Sequence, residues 1–327
     1  MVFIYFAALV FSFVILFKTA DYFVTGASGI ADVFKIPKLI VGIVLVSLAT
    51  TAPEFSVSVI AAFLGNLEIS LGNAVGSVIC DDGIAIAMAA LFAPAAIFIN
   101  CRILKFTAVF LISIDIFVYL LIRNGVIGRL EGVLFLLILV VYFVIVIKNP
   151  RYRMDATGED ETIVPAERED YLLARKAEIR RYVLYLLGGV SGVIFASFIV
   201  NWSAIHIAEY FSISETVIGS TLVAIGTSIP EIGICITAAR RGEGEIAVGN
   251  ILGADVLNIL WIIGAAAIVR PLQVELQVIN FTFPYMILIV VVMLALMKFG
   301  CRLTKVKGLV LLSMYFVYLG LVVVFFT

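Results

Sequence analysis

Long apolar stretches alternate with short polar breaks along almost the whole chain. The runs fall near residues 2–17, 39–64, 69–97, 106–122, 129–147, 182–204, 216–239, 246–269, 277–297 and 308–326. A bilayer core about 30 Å thick takes roughly 20 apolar residues per helix. Each run therefore predicts one span, and the set predicts ten. The first run is short by itself, so its helix is expected to continue past Lys18 and Asp21 toward Ala27, as a retained span rather than a cleaved signal. Only residues 148–181 break the pattern, with many charges of both signs. They predict a soluble loop between a first five-helix unit (1–147) and a second (182–327).

Composition narrows the class. The chain has 327 residues, 63% of them hydrophobic and 14% charged, against roughly 45–50% and about 25% in soluble domains. That excludes a soluble or disordered chain and is too apolar for a water-filled β-barrel. An all-α integral membrane protein remains. A net charge of −1 gives no footprint for a nucleic-acid partner; the partner is the lipid bilayer. Four widely spaced cysteines (Cys80, Cys101, Cys235, Cys301) suggest neither a zinc site nor a disulfide framework. With the amino terminus outside, nineteen Lys and Arg fall on inward loops and only Arg123, Arg129 and Arg270 on outward ones. The positive-inside rule then predicts both termini outside, a cytoplasmic central loop and a multi-pass protein of the inner (plasma) membrane.

The two halves repeat. Shifted by 177 residues, 42–83 aligns with 219–260 without a gap, with identities that include Thr50/Thr227, Pro53/Pro230, Glu54/Glu231, Gly72/Gly249, Asn73/Asn250 and Gly76/Gly253. Apolar runs match one another by chance, but Pro, Glu, Asn and Gly at a fixed offset mark an internal duplication. Five spans is an odd number, so the halves must lie in opposite orientations. Two inverted five-helix repeats are the architecture of secondary transporters, whose site lies at the repeat interface near the midplane.

The repeated residues carry oxygen chemistry. Ser47-Leu48-Ala49-Thr50-Thr51-Ala52-Pro53-Glu54 is answered by Ala224-Ile225-Gly226-Thr227-Ser228-Ile229-Pro230-Glu231. Proline removes a donor from a helix, which frees carbonyls around Ala49 and Gly226 and is expected to free those of Ser47 and Ala224. The hydroxyls of Thr50, Thr51, Thr227 and Ser228 share these broken turns. A carboxylate at the bilayer centre costs about 3 kcal/mol or more, and Glu54 and Glu231 place one at equivalent points of each half. Facing carboxylates repel until a cation sits between them. The following segments add Ser77 and Asp81, four residues apart, and the equivalent Ala254 and Asn258. The glycine pairs Gly72/Gly76 and Gly249/Gly253 are read as helix-packing positions. Such an all-oxygen set suits calcium, with six to eight ligands, or sodium, with fewer. Asp255 is either a further ligand or an off-site polar contact, as is Asp82.

The paired segments Ala-Thr-Thr-Ala-Pro-Glu…Gly-Asn-Ala-Val-Gly-Ser and Gly-Thr-Ser-Ile-Pro-Glu…Gly-Asn-Ile-Leu-Gly-Ala-Asp resemble the two α-repeats of the sodium/calcium exchanger family, prokaryotic type. The resemblance implies a secondary antiporter that exchanges sodium for calcium by alternating access, working as a monomer, with no organic cofactor and no enzymatic step. It implies calcium binding by Glu54 and Glu231. It further implies that ions are shared among Thr50, Thr51, Thr227, Ser228, Ser77, Asp81, Asn258 and the backbone of Ser47 and Ala224, and that spans 1 and 6 rock against the core. Gly76 and Gly253 stand where the proton/calcium branch typically has Glu. The chain departs from its own branch at Ala254, Val78 and Asp255, and Asp82 is an added acid, so proton- or potassium-coupled exchange of calcium or another divalent ion is the alternative. His206 is read as a packing residue, and Asp115, inside span 4, needs a partner that the sequence does not name.

Overall fold

The computed structural model describes residues 2–148, 165–210 and 224–326. Nearly all of them are helical. In chain order these are α1 (Val2–Phe34), the bent pair α2 (Lys38–Thr50) and α3 (Ala52–Leu64), α4 (helix Leu67–Cys80, π turn Asp81–Ala85, helix Ile86–Phe92), α5 (Cys101–Ile122) and α6 (Arg129–Lys148). The second half has α7 (Pro165–Tyr210), the short α8 (Ala224–Thr227), α9 (Ile229–Arg240), α10 (Gly244–Val269, with a π turn at Asn258–Ile262), α11 (π turn Val278–Thr282, helix Phe283–Lys298) and α12 (Lys305–Phe326). Among the described residues eight helices are long and apolar enough to span a membrane, and the α2–α3 pair, bent by 46°, makes a ninth. The tenth expected span, 216–239, lies partly outside the described residues.

Two sequence expectations are corrected. The first helix runs to Phe34, beyond Ala27. Helix α7 begins at Pro165, so the loop expected over 148–181 is helical in its second part. A stretch with charges of both signs reads as loop by composition, yet it also fits a helix whose faces are all solvated.

The repeat extends through the whole fold. Helix α4 and its π turn map onto α10 and its π turn at the 177-residue offset, and α6 maps onto α12 within a residue. Gly65 and Gly242 end α3 and α9 in the left-handed conformation (φ 93° and 79°). Each donates to the carbonyl three residues back, and the next residue donates to the one five back, which is a Schellman cap. The two halves are stitched at both ends by short antiparallel pairs: β1 (Ile97–Phe98) with β4 (Arg302–Leu303), and β2 (Val126–Ile127) with β3 (Leu272–Gln273). Beside the first pair Cys101 and Cys301 are disulfide-bonded, with Cα atoms 5.5 Å apart. This corrects the expectation of no disulfide; a pair 200 residues apart leaves no spacing motif to read.

Burial sorts the helices. The apolar windows of α4 and α10 are 72% and 83% buried, against 11–39% for the other long helices. The outer helices leave large apolar side chains such as Phe63, Leu130 and Phe198 exposed, a surface suited to lipid and far too apolar for water. Helix α1 packs along α7, with Gly26 and Gly189 set against the partner backbone. Polar ties join α1 and α2 to the α9–α10 turn: Arg241–Asp21 at 2.8 Å, Lys38–Glu243 at 2.7 Å and Ser28 to Glu243 at 2.9 Å.

Candidate ion-binding site

The break in each bent span follows from its proline. Pro53 and Pro230 sit in the first turn of α3 and α9, where a missing N–H is harmless. The preceding turn loses that donor, and Thr51 (ψ 0°) and Ser228 (ψ 5°) mark the bend. Helices α2 and α10 cross at this level with backbones almost touching. A Cβ at Gly249 would lie 2.9 Å from the Gly42 Cα and nearer still to the Leu39 carbonyl, and one at Gly253 would meet the Ser47 Oγ at 2.5 Å. The packing role expected of Gly249 and Gly253 is therefore present. At Gly72 it is not: a Cβ there meets nothing within 4 Å among the described residues.

A symmetric hydrogen-bond network spans the two halves. Thr50 donates to the Oδ1 of Asn250 at 3.0 Å, and Thr227 to the Oδ1 of Asn73 at 3.2 Å. The amide of Asn73 donates to Ser58 Oγ (3.0 Å) and to the Glu54 carbonyl (3.3 Å), while that of Asn250 faces the Cys235 sulfur at 3.8 Å. Ser58 and Cys235 are themselves repeat equivalents. With its amide nitrogen engaged, each asparagine must offer its oxygen to the threonine. The hydroxyl proton is thereby turned toward asparagine, which presents the oxygen lone pairs to the other side.

The carboxylates lie against those lone pairs. Glu54 faces the Thr227 hydroxyl, Glu231 faces that of Thr50, and Asp81 lies beside Glu54 and the Ser228 hydroxyl. All three acids are 1% exposed or less, and both carboxylate oxygens of each glutamate lack a hydrogen-bond partner. Thr51 Oγ1, Ser77 Oγ, Ser228 Oγ and both amide atoms of Asn258 are also buried without a partner. Buried polar atoms are normally paired. Carboxylate, hydroxyl and amide oxygens gathered without partners form an oxygen-rich nest that suits a cation. Among the described residues no Lys, Arg or His is buried, so the protein supplies no positive charge there. Nor do three acidic or other ligating side chains among the described residues converge tightly enough to hold a metal by themselves; hydroxyl, amide and carbonyl oxygens must complete any coordination shell.

The remaining predicted residues sort as follows. Asp81 and Asn258 each open a π turn, a device common at functional sites. The Ser47 carbonyl is not freed as expected: it accepts from the Thr51 amide at 2.9 Å and from the Thr50 hydroxyl at 3.3 Å. The Ser47 hydroxyl donates to the Ile43 carbonyl at 2.5 Å. Ala224 begins α8 on the broken span. Asp255 faces Asp82, with Asp115 near both. His206 packs on Tyr5 and Trp202 and bonds the Trp202 carbonyl. The asparagines and the π turns are the elements that sequence reasoning missed; the repeated Gly-Asn doublet was the available signal.

The sequence model of the family described as sodium/calcium exchanger protein matches residues 4–148 and 181–324. The chain is 30% identical to the sodium/calcium exchanger MaX1 of Methanosarcina acetivorans, over 98% of each chain. It is 30% identical to the inner membrane protein YrbG of Escherichia coli, over 82% of this chain and 81% of that one. A solved structure of the sodium-calcium exchanger NCX_Mj superposes with a TM-score of 0.81 at 24% identity, covering 98% of this chain and 99% of that one; at that identity the likeness speaks for the fold.

Proposed function

The chain belongs to the sodium/calcium exchanger family, and on that premise we propose that it is a secondary antiporter exchanging sodium for calcium through the Glu54–Glu231 site. The observation that carries the reading is the pair of buried glutamates, each set against the threonine of the opposite half with no hydrogen-bond partner of its own. Calcium needs both carboxylates at once. Sodium ions spread over the same carboxylates and over Thr50, Thr51, Thr227, Ser228, Ser77, Asp81 and Asn258. The two cargoes compete for one set of oxygens, so one must leave before the other binds. An empty site holding several like charges is a poor candidate for closure, which favours exchange over leak. No step makes or breaks a covalent bond.

Residues 1–147 and 182–327 form the two inverted units in this reading, and a single chain contains the whole site. In the same reading β1, β4 and the Cys101–Cys301 pair lie on the cytoplasmic side of the inner membrane and both termini outside, as the positive-inside rule favours for the basic loops. Support comes from the straps: each joins two loops assigned to the same face.

Calcium-45 uptake into vesicles under imposed sodium, potassium or proton gradients tests the reading. Uptake driven by an outward-directed sodium gradient is expected; uptake driven by protons alone refutes the coupling. Glu54→Gln and Glu231→Gln are each expected to abolish calcium binding, and wild-type affinity in both removes the site.

A further inference from the structure

We infer that the cleft between the middle of α1 and the end of α9 binds an anionic phospholipid, its phosphate held by Lys18, Arg240 and Arg241 and an acyl chain laid along the exposed apolar stripe of α1. The cleft has a volume of about 600 Å³ and is lined by those three basic residues and Asp21, with Phe17 and Tyr22 as its apolar walls. Helices α1 and α9 pack against each other beside it. Three positive charges against one negative leave the cleft cationic. Arg241 is fixed in place: its Nη1 donates to the Asp21 carboxylate at 2.8 Å, to the Asp21 carbonyl at 2.9 Å and to the Thr25 hydroxyl at 2.6 Å. All three bonds use one nitrogen, so among the described residues the rest of the guanidinium fork is without a partner, and such a fork suits a phosphate. Lys18 and Arg240 have no acidic partner among the described residues. A cleft lined by one sign of charge concentrates ions of the other.

Depth selects which anion. Lys18 is the first charged residue after the apolar run 2–17, and Arg240 is the first after Glu231. Both mark where the hydrocarbon layer ends, which is the level of lipid phosphates. Along α1 the residues Phe3, Phe6, Val10, Phe13 and Phe17 are all exposed. Their spacing alternates between three and four, so they share one face of the helix, and the stripe runs into the cleft at Phe17. From Phe6 to Phe17 the helix rises about 16 Å, close to half the hydrocarbon thickness and so to the reach of one acyl chain. Single basic side chains near a helix end merely snorkel toward water; here three from two segments converge on one cleft. A soluble anion would use the basic residues and leave the stripe bare, whereas a lipid uses both. The inference needs only the membrane-spanning fold. That the lipid comes from the cytoplasmic leaflet rests on the orientation proposed above.

The test titrates the full chain, purified in neutral detergent, with phosphatidylglycerol, phosphatidylcholine or inorganic phosphate, and counts bound molecules by native mass spectrometry. A first phosphatidylglycerol is expected to bind at least roughly tenfold more tightly than phosphatidylcholine. K18Q/R240Q is expected to weaken it by roughly tenfold to thirtyfold, the share of two basic residues at a membrane surface. F13A/F17A is expected to weaken it severalfold. K105Q/R123Q removes two exposed basic residues elsewhere and is expected to change nothing. Lys18 and Arg240 are themselves exposed, and an unchanged Tm without lipid checks that their variant folds. Four results overturn the inference: equal binding of the two lipids, undiminished binding by K18Q/R240Q, an equal loss in K105Q/R123Q, or inorganic phosphate bound as tightly as phosphatidylglycerol, which would make this a seat for a soluble anion. None of these readouts uses calcium, so a wild-type chain that binds no calcium-45 refutes the exchange reading and leaves the lipid count as it stands.

Discussion

Gly249→Ala is the sharpest single probe of how the two halves build one site. The added Cβ would sit 2.9 Å from the Gly42 Cα, 3.0 Å from the Ile43 nitrogen and closer to the Leu39 carbonyl oxygen. All three are backbone atoms, so no side chain can swing away. Restoring ordinary contact, at about 3.4 Å or more, means moving α2 from α10 by roughly 0.5 Å at Gly42 and further at Leu39. One residue along the same crossing, the Thr50–Asn250 bond spans 3.0 Å. A shift of that size carries it to the limit of a hydrogen bond. Overpacking of this kind costs about 1–3 kcal/mol of stability, and a lost buried hydrogen bond about 1 kcal/mol. If only the second loss reaches the ions, calcium affinity falls by roughly fivefold to tenfold. Calcium-45 binding to purified protein measures this, with thermal unfolding in parallel. Gly188→Ala is the control, because a Cβ there meets nothing within 4 Å among the described residues and the residue is exposed. An unchanged Kd and Tm in Gly249→Ala would refute the close crossing as the source of the site's geometry.

Other tests address the acids and the cysteines. Asp81→Asn should weaken calcium binding by roughly tenfold or more, the worth of a charged ligand. Because Asp81 and Asn258 are repeat equivalents, the exchanged pair D81N/N258D should recover most of that loss; equal binding by wild type and Asp81→Asn would reduce Asp81 to packing. Cys101 and Cys301 report sidedness. The pair is disulfide-bonded, so an impermeant maleimide should label it only after reduction by an impermeant reductant, and then in inverted vesicles and not in intact cells. Labelling from outside would reverse the assigned orientation.

Much of this fold is readable in the chain because the lipid forces local legibility. A span must be apolar over its full length, so a Pro-Glu inside one stands out, and a duplication shows as a fixed offset between rare residues. What escapes is long-range and side-chain specific. Nothing local in Asn73 indicates a bond to a threonine 154 residues away, and nothing in Cys101 points to Cys301. The proximity of Asp82 to Asp255 was hidden for a related reason: the two are not equivalent, so the symmetry that exposes the glutamates is silent about them. Symmetry also misled at Gly72, which shares a motif with Gly249 and shows none of its close contacts among the described residues. Ser47 is a milder case. Proline does remove a donor at position 53, but the lost partner belongs to Ala49, and the Ser47 carbonyl keeps the amide of Thr51.

The cross-repeat network ties the oxygens of the site to both halves. The Thr50 hydroxyl lies by Glu231 and is oriented by Asn250, both of the second half. The Thr227 hydroxyl lies by Glu54 and is oriented by Asn73, both of the first. An ion drawn to either glutamate therefore takes a ligand from each repeat and holds the two bent spans at one mutual distance. A site made from one half alone would not register where the other stood. Here the same crossing that sets the Thr–Asn distances near 3 Å also sets the separation of the carboxylates, so occupancy and the relative position of the repeats become one variable. That coupling is what alternating access requires: the state of the ions must bias which arrangement of the two halves is favoured.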